Sequence, residues 1–207
     1  MTGRHFLRCE ILLAPFFSLL LSGCFANTTP LINTANASTP FKDGAILTEY
    51  GNCDIDLPIT VSCKGFIAQG TSVLSRKDST YQLQADPTDD GAQVYLAQHP
   101  DGNMTMLFKD VGEGDYVIQL DMGQKEIDAD RYIYELFKFD GKVGYLYFMN
   151  CDPAADDRYV RSGELTAIST ALMMTTCKTD SIQHLAKIFK ARLATGLKPD
   201  KKFEIAS

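Results

Sequence analysis

Six cysteines and three histidines are the residues in this 207-residue chain whose types could do chemistry. A thiolate can attack carbon or sulfur, paired thiols can cross-link, and an imidazole can carry a proton or bind a metal. Spacing decides among these uses. His99 and His184 fall in no HExxH or other metal-spaced pattern, and the chain holds no G-x-S-x-G, S-x-x-K or phosphate-cradling P-loop motif. Two acidic stretches, Asp86-Pro87-Thr88-Asp89-Asp90-Gly91 and Asp152-Pro153-Ala154-Ala155-Asp156-Asp157, are rich in oxygen. Neither has the alternating acidic order of an EF-hand calcium loop, so both read as solvated turns. The expectation is therefore no catalytic residue, no metal and no cofactor. The cysteines remain, and their positions differ in kind.

Arg4 and Arg8 precede an uncharged, apolar run of eleven residues, Ile11 to Leu21. A helix needs about 20 apolar residues to cross a bilayer, Glu10 blocks extension backwards, and Pro15 weakens the segment further. The pattern is that of a cleaved signal rather than a membrane span. Its end, Leu21-Ser22-Gly23-Cys24, resembles the lipobox of bacterial lipoproteins. The resemblance covers about the first 24 residues. It implies a signal peptide over 1–23, a diacylglyceryl group on the Cys24 thiol, cleavage just before Cys24, and attachment to a membrane through two or three acyl chains. In Gram-negative lipoproteins an Asp after the cysteine usually retains the protein at the inner membrane. Phe25 stands there instead, which for such a source implies an outer-membrane anchor facing the periplasm.

Cys9 belongs to the signal segment, which leaves Cys53, Cys63, Cys151 and Cys177. An even number of thiols in an exported chain suggests disulfides, and three pairings are open. Cys151 and Cys177 each lie at the end of an apolar run, and joining them closes a loop of 27 residues, stabilising by about 3–4 kcal/mol on the loop-entropy estimate. Cys53 and Cys63 bracket "CDIDLPITVSC", whose alternation is that of a strand. They could pair only if the segment folds back at Pro58.

Residues 25–40, "FANTTPLINTANASTP", carry no charge and no sustained periodicity, and read as a flexible tether. The rest, 41–207, is the size of one domain. Its 45% apolar composition supports a core. Cleavage would remove two positive charges and one negative, taking the net charge from −6 to −7. Such an acidic domain is not built to bind nucleic acid.

Most of 44–150 alternates with period two, and Asp101-Gly102 and Asp140-Gly141 mark hairpin turns. "RYIYELFKF" (131–139) is apolar on both faces, as in a strand covered on both sides. Tyr81–Asp86 echoes Tyr116–Asp121, which would suit two similar halves. Residues 165–177 fit strand or helix. A helix over about 180–195 is expected, capped by Asp180, with Ile182, Leu185, Ala186, Phe189 and Leu193 on one apolar stripe. "KKFEIA" (201–206) reads as a final edge strand. The expected fold class is α+β: an antiparallel β-rich domain of hairpins with a C-terminal helix packed on the sheet. The expected function is that of a lipid-anchored envelope protein with a non-catalytic binding or structural role. Its partners would be the membrane and an envelope protein. The alternative is a periplasmic hydrolase working through carboxylates.

Overall fold

The computed structural model describes residues 24–51, 54–56, 60–62, 66–85, 104–121, 131–169 and 175–206. In chain order the strands are β1 (Ala26–Asn27), β2 (Ile46–Gly51), β3 (Asp54–Asp56), β4 (Thr60–Ser62), β5 (Ile67–Lys77), β6 (Thr80–Ala85), β7 (Met104–Gly112), β8 (Asp115–Asp121), β9 (Tyr132–Phe139), β10 (Val143–Tyr147), β11 (Thr166–Ser169), β12 (Thr175–Lys178) and β13 (Lys201–Ala206). Between β10 and β11 lies α1 (Asp157–Arg161), and between β12 and β13 lies α2 (Ile182–Leu193).

Eight of these strands form a closed antiparallel barrel. The order runs β2-β5-β6-β7-β8-β9-β10-β13, and β13 pairs back onto β2. Each strand therefore neighbours the next one in sequence, apart from the last, which closes the ring. "KKFEIA" is this closing strand and not an edge: Ile205 pairs with Leu47 on one side and Phe203 pairs with Gly144 on the other. Closure gives each of the eight strands a neighbour on both sides, so none of them is an edge strand. The echoing segments fall in β6 and β8, alternate strands of this one sheet, where Tyr81 and Tyr116 both reach the interior cluster.

Alternation along the strands separates two cores. One fills the barrel: Leu47, Leu74, Tyr81, Met106, Phe108, Ile118 and Phe137 point inward. The other lies outside the wall. There Val117, Tyr134 and Leu136 pack against Leu185, Ile188 and Phe189 of α2. This explains why "RYIYELFKF" is apolar on both faces: Phe137 serves the lumen, and Tyr134 and Leu136 serve the outer layer. The β9–β10 turn is the expected Asp-Gly turn. Gly141 has φ +97°, and Asp140 Oδ1 accepts from the amides of Lys142 (2.9 Å) and Val143 (2.7 Å). Gly144 is required for a different reason, since a Cβ there would fall 2.1 Å from the Phe137 ring inside the barrel.

The helix forms one residue later than the sequence suggests. Its cap is Ser181, whose Oγ accepts from the His184 amide, while Asp180 stays exposed. Ile188, outside the expected stripe, is fully buried beside Leu185 and Phe189. The ambiguous 165–177 region contains two strands, β11 and β12, paired as an antiparallel ladder. Among the described residues no helix is long and apolar enough to cross a membrane.

The largest departure from expectation is at residues 24–41. This stretch is not a loose tether. Phe25, Ala26 and Ile32 are each 1% exposed. β1 pairs with the part of β9 that extends beyond β10, with Ala26 opposite Ile133 and Asn27 opposite Tyr132. Two barrel side chains then hold the chain against the wall. Gln119 accepts from the Ile32 amide at 2.8 Å and donates to the Ile32 carbonyl at 2.9 Å, standing in for a strand partner. Tyr134 Oη accepts from the Leu31 amide at 3.0 Å. Farther on, Ser38 bridges Phe108, and Phe41 enters the end of the barrel where the β5–β6, β7–β8 and β9–β10 turns lie. The Phe41 amide donates to Tyr81 Oη (3.1 Å), which donates to the Phe41 carbonyl (2.9 Å). The rings of Phe108, Phe139, Tyr81 and Phe137 surround it at 5.0–5.8 Å. The N-terminal stretch thus straps the barrel wall lengthwise, and Phe41 plugs the end where the β5–β6, β7–β8 and β9–β10 turns lie.

Candidate functional site

Cys24 stands at the head of this strap. It is partly exposed, whereas Phe25 beside it is buried. Its carbonyl accepts from the Cys177 amide at 2.9 Å, and it bridges Asn150. Phe25 runs parallel to Cys177, and its ring meets Phe189 edge-on at 5.1 Å. Cys151 and Cys177 are joined in a disulfide, with Cα atoms 5.3 Å apart, as the sequence suggested. Alternation turns the Cys24 side chain away from that disulfide, because Phe25 and Cys177 share the face toward α2. Arg192 closes the assembly. Its guanidinium makes a two-pronged pair with the buried Asp156, donates to the Asn150 carbonyl, and lies 5.2 Å from the centre of the Phe25 ring. The second acidic stretch is therefore structural. Asp152 accepts from the amides of Ala154 and Ala155, and Asp156 holds Arg192.

Cys53 and Cys63 lie outside the described residues, as do His99 and the first acidic stretch. Between the two cysteines the chain does fold back: β3 and β4 pair, Asp54 opposite Ser62 and Asp56 opposite Thr60. His184 sits on α2, where its Nδ1 is buried without a hydrogen-bond partner, 4.0 Å from Asp180. Among the described residues no group of three or more His, Cys, Asp or Glu could hold a metal ion.

The lumen holds a set of charges that the sequence reading did not single out. Glu135 is two residues from Phe137 on the inward face of β9 and is 2% exposed. Its Oε2 accepts from the Met149 amide at 2.5 Å, and its other oxygen takes no hydrogen bond from the described residues. Burial pushes this carboxyl well above the usual carboxylate range. Asp200 nearby is also raised, by burial, and accepts from the Phe148 amide at 2.8 Å. Two consecutive amides, at 148 and 149, are thus held by two carboxyls where the chain leaves the barrel for the disulfide layer. On the neighbouring strands β13 and β2, Lys201 pairs with Glu49 at 2.5 Å. Both sit on inward-facing positions, in register with Phe203, Ile205 and Leu47. The charges form a layer above the aromatic plug. The available signal was a Glu set between Tyr134 and Leu136 in a mostly apolar strand.

A carboxyl whose pKa is higher folded than unfolded binds more protons in the folded state. Stability therefore falls as pH rises from the ordinary glutamate value toward the folded one. Glu135→Gln keeps an acceptor for Met149 and removes the charge. The variant should match the parent near pH 4 and exceed it at pH 8 by about 1 kcal/mol or more, the worth of each pH unit by which burial raises the carboxyl. Urea denaturation at the two pH values measures this, and a variant weaker than the parent at pH 8 would contradict the assignment.

On the outer layer, a surface depression of about 470 Å³ is lined by Arg158, Tyr159, Glu164, Lys187 and Ala191. Its charges are matched, since Lys187 binds Glu164 at 2.8 Å and Arg158 lies over the Tyr159 ring.

No family model matches this chain, and no curated protein or solved structure matches it either.

Proposed function

We propose that the protein is a lipid-anchored, non-catalytic module of a bacterial cell envelope, attached through Cys24 and held as a rigid barrel that binds or positions a partner. The observation that carries this reading is the pairing of Leu21-Ser22-Gly23-Cys24 with a partly exposed Cys24. For a Gram-negative source, Phe25 after the cysteine favours the outer membrane, with the body in the periplasm. Phe25 also has a packing role of its own against Phe189. The disulfide between Cys151 and Cys177 suits an oxidising compartment. The hydrolase alternative would rest on Glu135 and Asp200. Each already accepts a main-chain amide, and Glu135 is enclosed, so the binding reading is preferred.

Cys24→Ala should abolish acylation and leave uncleaved precursor. Metabolic labelling with radioactive palmitate, followed by immunoprecipitation, tests this. Label retained by the variant at the parent's level would remove the lipid assignment.

A further inference from the structure

An acylated Cys24 would have no slack between lipid and body. A flexible stretch of 16 residues would let a body drift roughly 20–24 Å from its anchor. Here residue 25 is already in the core, and residues 24 and 25 each make a single β-bridge, to Asn150 and Cys177. The side chain of Cys24 also has a fixed direction. Phe25, Cys177 and Ala167 share the face of the β1–β12–β11 layer that meets the outer core. Cys24 therefore points to the opposite face, together with Thr166, Ile168, Thr176 and Lys178. Ile168 there is 43% exposed, among the most exposed large apolar residues described. The four β11–β12 positions on this face carry no carboxylate, in a chain whose net charge is −6. The plugged end of the barrel is set apart along β9: from Ile133, opposite Ala26, to Phe139 is six strand residues, or about 20 Å.

We infer that the acylated protein lies directly on the bilayer, with the Cys24 and Ile168 face of the β1–β12–β11 layer against the lipid surface and the Phe41-plugged end out of contact with it. The inference rests on the lipid-anchor reading, and the occupant of this face is the membrane that holds the acyl chains.

The chain contains no Trp, so a single introduced Trp reports alone. Ile168→Trp places one on the proposed contact face, and Lys142→Trp places one in the exposed β9–β10 turn at the plugged end. Acylated full-length protein is reconstituted into phosphatidylethanolamine–phosphatidylglycerol vesicles with acyl chains brominated near the headgroups. Ile168→Trp should shift its emission to the blue and lose a large part of it to quenching, and Lys142→Trp should do neither. Thr166→Trp, on the same exposed face, serves if Ile168→Trp folds poorly. If the protein floats with the vesicles and the contact-face probes stay unquenched, the docking inference fails and the anchor stands; the face then belongs to a protein partner. Quenching at Lys142→Trp instead would reverse the orientation and overturn the inference. Protein that does not float with vesicles would remove the anchor reading itself.

Discussion

Deleting residues 24–40 should abolish cooperative folding, although composition alone marks that stretch as dispensable. Three losses coincide. Phe25 and Ile32 leave the outer core, where each is 1% exposed. Truncating a buried aromatic costs about 3–5 kcal/mol and a buried Ile about 2–5 kcal/mol. Gln119, 1% exposed, loses both of its hydrogen bonds to Ile32 and keeps only the one its Oε1 accepts from Tyr134; its amide nitrogen is left without a partner, which adds about 1–3 kcal/mol. The lower ends of these ranges together reach about 6 kcal/mol, against a typical total stability of about 5–15 kcal/mol. Phe41 remains but loses the Ser38–Phe108 bridge that leads it into the barrel. The comparison is between residues 24–207 and 41–207, both carrying Cys24→Ser where it is present and both made in an oxidising compartment. The longer chain should unfold in one urea transition and the shorter should show none. Equal midpoints would mean that the strap is decoration.

The contrast between that stretch and the rest of the chain shows what a sequence makes legible. β8 was readable as "DYVIQLD" because alternation is local, and the Asp140-Gly141 turn because its geometry is set by two residues. The strap was not readable, because what orders its uncharged, Asn- and Thr-rich chain lies far away: Gln119 is 87 residues from Ile32 and Tyr134 is 103 from Leu31. Barrel closure is hidden for the same reason. Lys201–Ala206 has an ordinary edge-strand composition, and only the register against residues 46–51 shows that it has partners on both sides. Cys24 could be proposed from sequence alone because the motif that singles it out occupies four consecutive positions. Arg192 could not, since its pair with Asp156 depends on how α2 docks. Glu135 lay between: a charge inside an apolar strand is visible, but its place in the lumen needs the closed sheet.

Phe189→Ala should cost about 3–5 kcal/mol, the usual loss for an aromatic removed from a packed core. Phe189 is fully buried on α2 among Leu185, Ile188 and the barrel's outer face. Lys187 and Lys190 would also suit a helix lying on anionic lipid. Here Lys187 is paired with Glu164, and Lys190 donates to the Val111 carbonyl at the barrel's end. Both cations are thus engaged by groups of the protein itself. A lipid-facing helix would leave the urea midpoint of the unacylated domain, residues 24–207, almost unchanged and would instead weaken vesicle binding. A docked helix lowers the midpoint whether or not vesicles are present. The edge-on contact with Phe25 adds a second requirement. Such ring pairs contribute about 0.5–1.5 kcal/mol beyond their area, so Phe25→Leu and Phe189→Leu should be non-additive by that amount in a double-mutant cycle. Additive effects would mean that β1 and α2 pack independently. Coupling would mean that Phe25, at the head of the strap, and the helix core unfold as one unit.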